Sequence, residues 1–469
     1  MTQHMTPTSQ TTIAKTLADF VSSLSYADIP DAARERARYL MLDAVGIALA
    51  STQYDFSHRT HTALREFGAG DSDVIGYGTR LALRDAVMMN GFLIHGLDYD
   101  DTHTRGVIHA TASCFPTALG MAASAGLDGR ALLTAYVAGM EVATRLGAVA
   151  KGGFHQTGFH PTGLVGAFAC SLIAGKLQGL TPAQLASAQG IALSVGSGSL
   201  EFLQDGAWTK RIHPGWAGAA GITAAVLARN GFYGPKAAYE GRFGLYASHL
   251  GPLAEACDLG LATEGLGETW EVTQVAVKPL PACHFTHACI DAASALKAEH
   301  DIRPDQIASI RVLVPAEVIK TVCEPINHKR KPQNSYDAQF SIPYTVASGL
   351  VRGRFSLADL EPEMLADPVV LSVASRVDYE ADPQSAFPKY YSGEVIVTTI
   401  DGRELRHREQ VNRGASDRPL SGDEIVRKYM ENATMAVSED VATRMRDAVL
   451  GLDDGMSSTY LSTVLAGRQ

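Results

Sequence analysis

Residues 11–229 repeat their apolar positions with a helical period, and they do so largely with small side chains. Ala14, Leu17, Phe20 and Val21 form one stripe that stops at Ile29-Pro30. Ala37, Leu40, Met41 and Val45 form the next, so the start of the chain is predicted to be a helical hairpin. Further helices are predicted over 85–95, 113–125, 129–151, 162–177, 182–195 and 216–229. Gly215, Gly218 and Gly221 recur at three-residue spacing. A glycine inside a soluble helix costs up to about 1 kcal/mol relative to alanine, so this usage predicts helices whose backbones approach closely.

The pattern changes near Glu268. Residues 269–277 and 307–315 alternate like strands, and 285–300 reads as a helix between them. A second strand pair is predicted at 393–400 and 404–410, joined by the hairpin dipeptide Asp401-Gly402. Helices are expected over 338–350 and 361–375, and helical periodicity returns over 421–465. The predicted class is mainly α: a large all-helical domain formed by 1–267 and 412–469, interrupted by a smaller α+β domain at 268–411. No internal repeat is visible.

At 469 residues the chain exceeds one ordinary core. Its net charge of −10, with no basic run beyond His328-Lys329-Arg330-Lys331, argues against general nucleic-acid binding. That run reads as a solvated loop, with steering of anionic substrates as its alternative. Six scattered cysteines suit a reducing compartment. The polar start lacks the features of a secretory signal, and no stretch approaching the roughly 18 apolar residues of a membrane span is apparent. A cytoplasmic protein that does not engage membranes is expected.

Four loops place histidine just before a predicted helix: the loop ending in His109, Phe159-His160-Pro161, the run from Lys210 to His213-Pro214, and the run from Lys278 to His284. Helix starts offer free N–H groups and a partial positive charge, which suits a carboxylate or phosphate, and lysine strengthens that preference. The bland alternative is a helix entry with proline at its favoured first position. Asp98, Asp100 and Asp101 put three carboxyls in four residues, and their repulsion could raise one pKa toward a working range. Competing readings are a turn cap, a solvated loop, or a divalent-ion site made by Asp98, Asp100 and His103. Dinucleotide, Walker and nucleophile-elbow patterns are missing. Cys283 beside His284 is a weaker candidate for thiol catalysis.

Through these residues the chain resembles the MmgE/PrpD family, which includes 2-methylcitrate dehydratase, cis-aconitate decarboxylase and iminodisuccinate epimerase. The carriers are HGLDYDDTH at 95–103 with His109 after it, GFHPTGLVGAF at 158–168, TKRIHPGWAGAAG at 209–221, KPLPACHFTHA at 278–288 and AQFSIPYTVASGL at 338–350. The resemblance implies a helical main domain with an α+β lid, a homodimer, and a site between the domains with no cofactor and no metal. It maps the family site onto Asp98, Thr102, His109, His160, Lys210, Lys278, His284 and Tyr344. Two spacings depart from the decarboxylase branch: Asp98 to His109, and Lys278 to His284, are each one residue longer. His103 stands where the dehydratase branch usually has tryptophan.

The resemblance implies a carbanion or enediolate formed next to a carboxylate of a small di- or tricarboxylate. Lys210, Lys278 and His160 are assigned to carboxylate binding and charge stabilisation, Asp98, His109 and His284 to acid/base work, and Thr102 and Tyr344 to orientation or proton delivery. A hydro-lyase resembling 2-methylcitrate dehydratase is the first expectation. An epimerase, a cis-aconitate-type decarboxylase, and a noncatalytic carboxylate-binding protein are the alternatives.

Overall fold

The computed structural model describes residues 11–468, so most of the polar start read above lies outside the described residues. Helix accounts for about 58% of the chain, which makes it mainly α. The predicted hairpin is present as α1 (Ile13–Ser23) and α2 (Asp31–Ser51). Thr12 starts α1 by accepting from the Lys15 main-chain N–H, as an N-cap does. Six longer helices follow: α3 (Leu83–His95), α4 (Thr111–Ser124), α5 (Gly129–Val149), α6 (Pro161–Leu177), α7 (Pro182–Ala192) and α8 (Ile212–Arg229).

Helix α6 is apolar on every side and is buried along nearly its whole length, as a central helix must be. The small residues of α8 explain how its neighbours come so near. A side chain added at Gly215 would collide with the Met88 carbonyl oxygen of α3, and one at Gly221 would collide with Cys170 of α6. Helix α5 corrects one expectation. Its 21 residues are long and apolar enough to cross a membrane, yet all but Arg130 and Ala131 in its first turn are buried among the other helices, and it carries Glu141 and Arg145.

The chain's last helices, α11 (Gly422–Ala433), α12 (Glu439–Leu450) and α13 (Ser458–Leu465), follow α9 (His287–His300) and α10 (Ile342–Arg352). Apolar side chains from α11, α12 and α13 join one large core with those of residues 14–277. A second core spans residues 280–397, with Phe202 contributed from the first half of the chain.

The second core is built around one sheet. Its strands are β3 (Ile307–Val314), β4 (Val377–Ala381), β5 (Gly393–Thr399) and β6 (Glu404–Glu409), in the order β4-β3-β5-β6. The β3/β4 pair is parallel and the other two pairs are antiparallel. The β5–β6 hairpin turns at Asp401-Gly402 as predicted, with Gly402 at φ 85°. Strand β4 was not foreseen, and the helix expected over 361–375 is split into Pro362–Leu365 and Pro368–Ala374 by the proline at its second start.

The strand expected over 269–277 is mostly a turn. Only β2 (Val275–Ala276) pairs, and it pairs with β1 (Thr102–His103) rather than joining the sheet. Trp270 and Val272 are buried in the helical core, and Glu271 binds His103 and Arg105. The alternating pattern therefore records which side chains face that core, not a place in a sheet.

Candidate active site

The β1–β2 pairing is what assembles the site. It lays Lys278 against the acidic loop that follows α3, and the Lys278 ammonium donates to both the main-chain carbonyl and the carboxylate of Asp98, each at 2.8 Å. Lys210, on the short turn before α8, meets the same carboxylate oxygen at 2.9 Å. Lys428 of α11 closes the loop from behind, donating to the Tyr99 carbonyl at 2.9 Å and pairing with Asp43 at 2.7 Å. Arg211 donates to the Gly96 carbonyl and lies between the rings of Phe56 and Tyr336. Asp98 itself is held at φ 50°, a left-handed conformation uncommon for a non-glycine residue.

One cavity is lined by Asp98, Thr102, His109, His160, Lys210, Lys278 and His284, so the structure brings together seven of the eight residues singled out in the sequence. Phe202, Leu203, Phe285 and Phe340 supply the apolar part of its wall, and the Lys210 ammonium lies 5.0 Å from the Phe340 ring centre. The internal space is about 40 Å³, enough for a few waters.

A second, outer cavity of about 540 Å³ adjoins it and shares His155, Leu200, Leu203 and Thr321. Lys320, Lys329, Glu201, Asp205, Glu324 and Asp337 line that outer space. Carboxylates outnumber lysines there, and the Lys329 ammonium is tied to the Thr321 carbonyl. The lining does not favour the steering role considered for the 328–331 run.

The charges divide sharply. Burial disfavours the ionised Asp98, but Lys210 and Lys278 outweigh it and hold the carboxyl well below its usual range. Burial would likewise depress Lys278, yet Asp98 and Asp100 raise it. Asp100 is pulled down to about 2 against its burial, chiefly by His95 and His109. The carboxyl that is raised is Asp101, pushed to about 8 by burial and by Asp100. Asp101 hydrogen-bonds Thr111 at 2.9 Å and is not part of the cavity wall. The predicted repulsion is real, but it falls on the member of the trio behind the site.

The histidines stay neutral. Burial drives His109 and His160 well below their usual value, and His155 down to about 4. His109 donates through Nδ1 to the Asp101 carbonyl at 2.7 Å, which leaves Nε2 as its lone pair. His95 donates through Nδ1 to Asp100 at 2.8 Å, and its ring lies 4.9 Å from that of His109 and 5.6 Å from that of His160. The Nδ1 atoms of His160 and His213 are 3.0 Å apart, so one of them donates.

Tyr344 is not brought into the cavity. Its hydroxyl lies 2.8 Å from the Asp359 carbonyl and 3.1 Å from that of Met364, inside the second core. The aromatic hydroxyl-bearing residue in the wall is Tyr391, which nothing in the sequence reading marked. His155, which lines the cavity from a short helix before His160, and His95, the last residue of α3 and the partner of Asp100, were also not singled out in the sequence.

His103 turns away: its Nδ1 accepts from the Gly106 N–H and its Nε2 faces Glu271 at 2.9 Å. The divalent-ion site considered for Asp98, Asp100 and His103 is therefore not formed. His95, Asp100 and His109 do place ligand atoms within 4.8 Å of one another. Of these atoms His95 Nδ1 is engaged with Asp100 and His109 Nδ1 with the Asp101 carbonyl. Burial pushes the Cys283 thiol up to about 11, so it is a poor nucleophile.

The helix starts differ slightly from expectation. Helix α8 begins at Ile212, so His213 lies within its first turn, and His284 sits in a short turn before α9. Four loops from both cores nevertheless meet at one cavity. The sequence also matches known families in two parts. Residues 15–255 match the MmgE/PrpD N-terminal domain and residues 280–454 match the MmgE/PrpD C-terminal domain. The chain belongs to the MmgE/PrpD family.

Similar proteins along nearly the full length are enzymes of that family. The chain is 25% identical to a cis-aconitate decarboxylase-like protein, oryM, of Aspergillus oryzae, covering 96% of each chain. It is 27% identical to a cis-aconitate decarboxylase of Aspergillus terreus, over 94% of this chain and 93% of that one. It is 26% identical to the cis-aconitate decarboxylase of Homo sapiens, over 97% and 95%. The chain is accordingly a lyase-type enzyme of the MmgE/PrpD family.

Proposed function

We propose that this enzyme acts without a cofactor on a small polycarboxylate of the cis-aconitate type, removing one carboxylate as CO₂. The observation that carries this reading is the mixed lining of the cavity: the Lys210 and Lys278 ammonium groups together with an apolar wall of Phe202, Leu203 and Phe340. A carboxylate pressed against that wall loses its water, and loss of CO₂ disperses its charge. The C–C bond breaks heterolytically and the electron pair spreads onto a neighbouring carboxylate. Lysines held in place before the reaction stabilise that developing charge, each well-placed donor contributing about 3 to 4 kcal/mol. Protonation at carbon completes the exchange.

The named relatives shift the weight from the hydro-lyase first expected toward decarboxylation. Dehydration or epimerisation through the same enediolate is the second reading, supported by the longer Asp98–His109 and Lys278–His284 spacings. With only about 40 Å³ inside, a six-carbon acid requires Phe202, Leu203 or their neighbours to move. A panel of hydroxy and unsaturated di- and tricarboxylates, followed by proton NMR in deuterated water with CO₂ detection, separates the outcomes. CO₂ with a deuterated product supports decarboxylation. Water loss, or exchange without either, supports the second reading.

A further inference from the structure

His284 was assigned to acid/base work in the sequence, but its hydrogen bonds leave it only one role. Asn412 is buried and sits where the chain leaves the sheet for α11. Its side-chain oxygen accepts the Tyr391 main-chain N–H at 3.0 Å. A main-chain N–H can only donate, so the amide orientation is fixed and the Asn412 NH₂ faces the other way. It faces His284 Nε2 at 2.8 Å. An amide NH₂ donates and cannot accept, so Nε2 must carry the lone pair. The proton of the neutral ring is then on Nδ1, which is buried and has no hydrogen-bond partner among the described residues, in a residue that lines the cavity.

The geometry points to Asn412 as the positioning residue that locks His284 as a neutral Nδ1–H donor aimed at a substrate oxyanion. Neither neighbouring aromatic ring offers an alternative proton acceptor for Nε2. His287 lies 4.8 Å away with Nε2 directed to the Ala282 carbonyl, and Tyr391 stands perpendicular at 5.3 Å with its hydroxyl on the Thr104 carbonyl. Burial and then Lys278 hold the His284 pKa down at about 3, against Asp98 and the Arg413 main chain, so the ring stays neutral as a donor. A neutral imidazole polarises a carboxylate or enediolate oxygen without delivering a full charge, a known use of histidine with depressed pKa. His109 is the complement: its Nδ1–H is spent on the Asp101 carbonyl and its free Nε2 can only accept. The inference rests on the reading of this cavity as a carboxylate site, although the tautomer itself does not.

The test separates the two. Full-length protein with ¹⁵N-labelled histidine, His284 being assigned by its disappearance in His284→Gln, reports which ring nitrogen carries the proton without any substrate. Nδ1–H in the wild type is expected, and Nε2–H overturns the inference whatever the reaction proves to be. Asn412→Asp keeps the acceptor for the Tyr391 N–H but replaces the donor with a second acceptor. It should move the proton to Nε2 and lower kcat on the order of 100-fold, the loss typical of one oxyanion donor, with KM changed much less and the melting temperature retained. A variant that keeps Nδ1–H shows that Asn412 does not set the tautomer. One that switches tautomer with wild-type kcat shows that the donor is not used; either result overturns the proposal.

Discussion

Lys278 holds Asp98 at two points, the main-chain carbonyl and the carboxylate, and Lys210 holds the same carboxylate oxygen from the other side. The strained φ of 50° at Asp98 is thereby fixed by two buried cations.

Removing the shared anion should cost more than removing either cation. Asp98→Asn leaves two buried ammonium groups without the carboxylate they share, and breaking a buried pair in this way costs about 3 to 5 kcal/mol. Lys278→Met leaves Asp98 still paired with Lys210 and should cost less. Urea unfolding of the two variants at pH 7 checks the order, and equal losses would show that Lys210 does not share the charge.

Asp101 should tolerate neutralisation where Asp98 does not. Its pKa of about 8 lies above the unfolded value near 4, so the folded protein is progressively penalised as pH rises between those two values. Asp101→Asn removes that penalty. The variant should melt higher than the wild type at pH 7.5, with a smaller gain at pH 5, while retaining turnover. Differential scanning at both pH values reads this directly.

Buried neutral histidines predict acid lability. His155 and His213 titrate at about 4 and His284 at about 3, each lowered first by burial, whereas an unfolded histidine titrates near 6.5. Below pH 6.5 the unfolded chain binds protons that the folded chain refuses, so stability falls as pH falls, by up to about 1.4 kcal/mol per pH unit for each such histidine. The urea midpoint should drop between pH 7.5 and 5. Replacing His155 with Gln should make that drop shallower.

Tyr344→Phe should leave kcat within about twofold and reduce stability by about 1 kcal/mol, the usual net worth of a hydrogen bond to main chain. Its hydroxyl serves Asp359 and Met364 in the second core rather than the cavity. A kcat loss above tenfold at unchanged stability would put it back at the site.

The first helices were legible because α1 and α2 carry their apolar stripes in the sequence, and the glycines of α8 announced their close contacts. The residues 269–277 misled because Trp270 and Val272 alternate for burial against helices, a pattern that does not distinguish a strand from a docked turn. Seven of the eight mapped site residues could be found because their loops are local motifs. Asn412 could not: it reaches His284 across 128 residues of sequence, and a lone asparagine after a strand carries no signal of its partner. Nor does spacing reveal which carboxyl of Asp98, Asp100 and Asp101 is raised, because that depends on which one the lysines meet.

The most direct test of the account is turnover of cis-aconitate in deuterated water by wild type and Lys210→Ala, with CO₂ and product deuterium counted together. The account predicts one CO₂ released per deuterium incorporated at carbon in the wild type. It also predicts a rate reduced at least 100-fold in the variant, as loss of one charge-stabilising donor demands. Wild-type enzyme that turns over other polycarboxylates but releases no CO₂ from cis-aconitate, or a variant with near-wild-type rate, would contradict it.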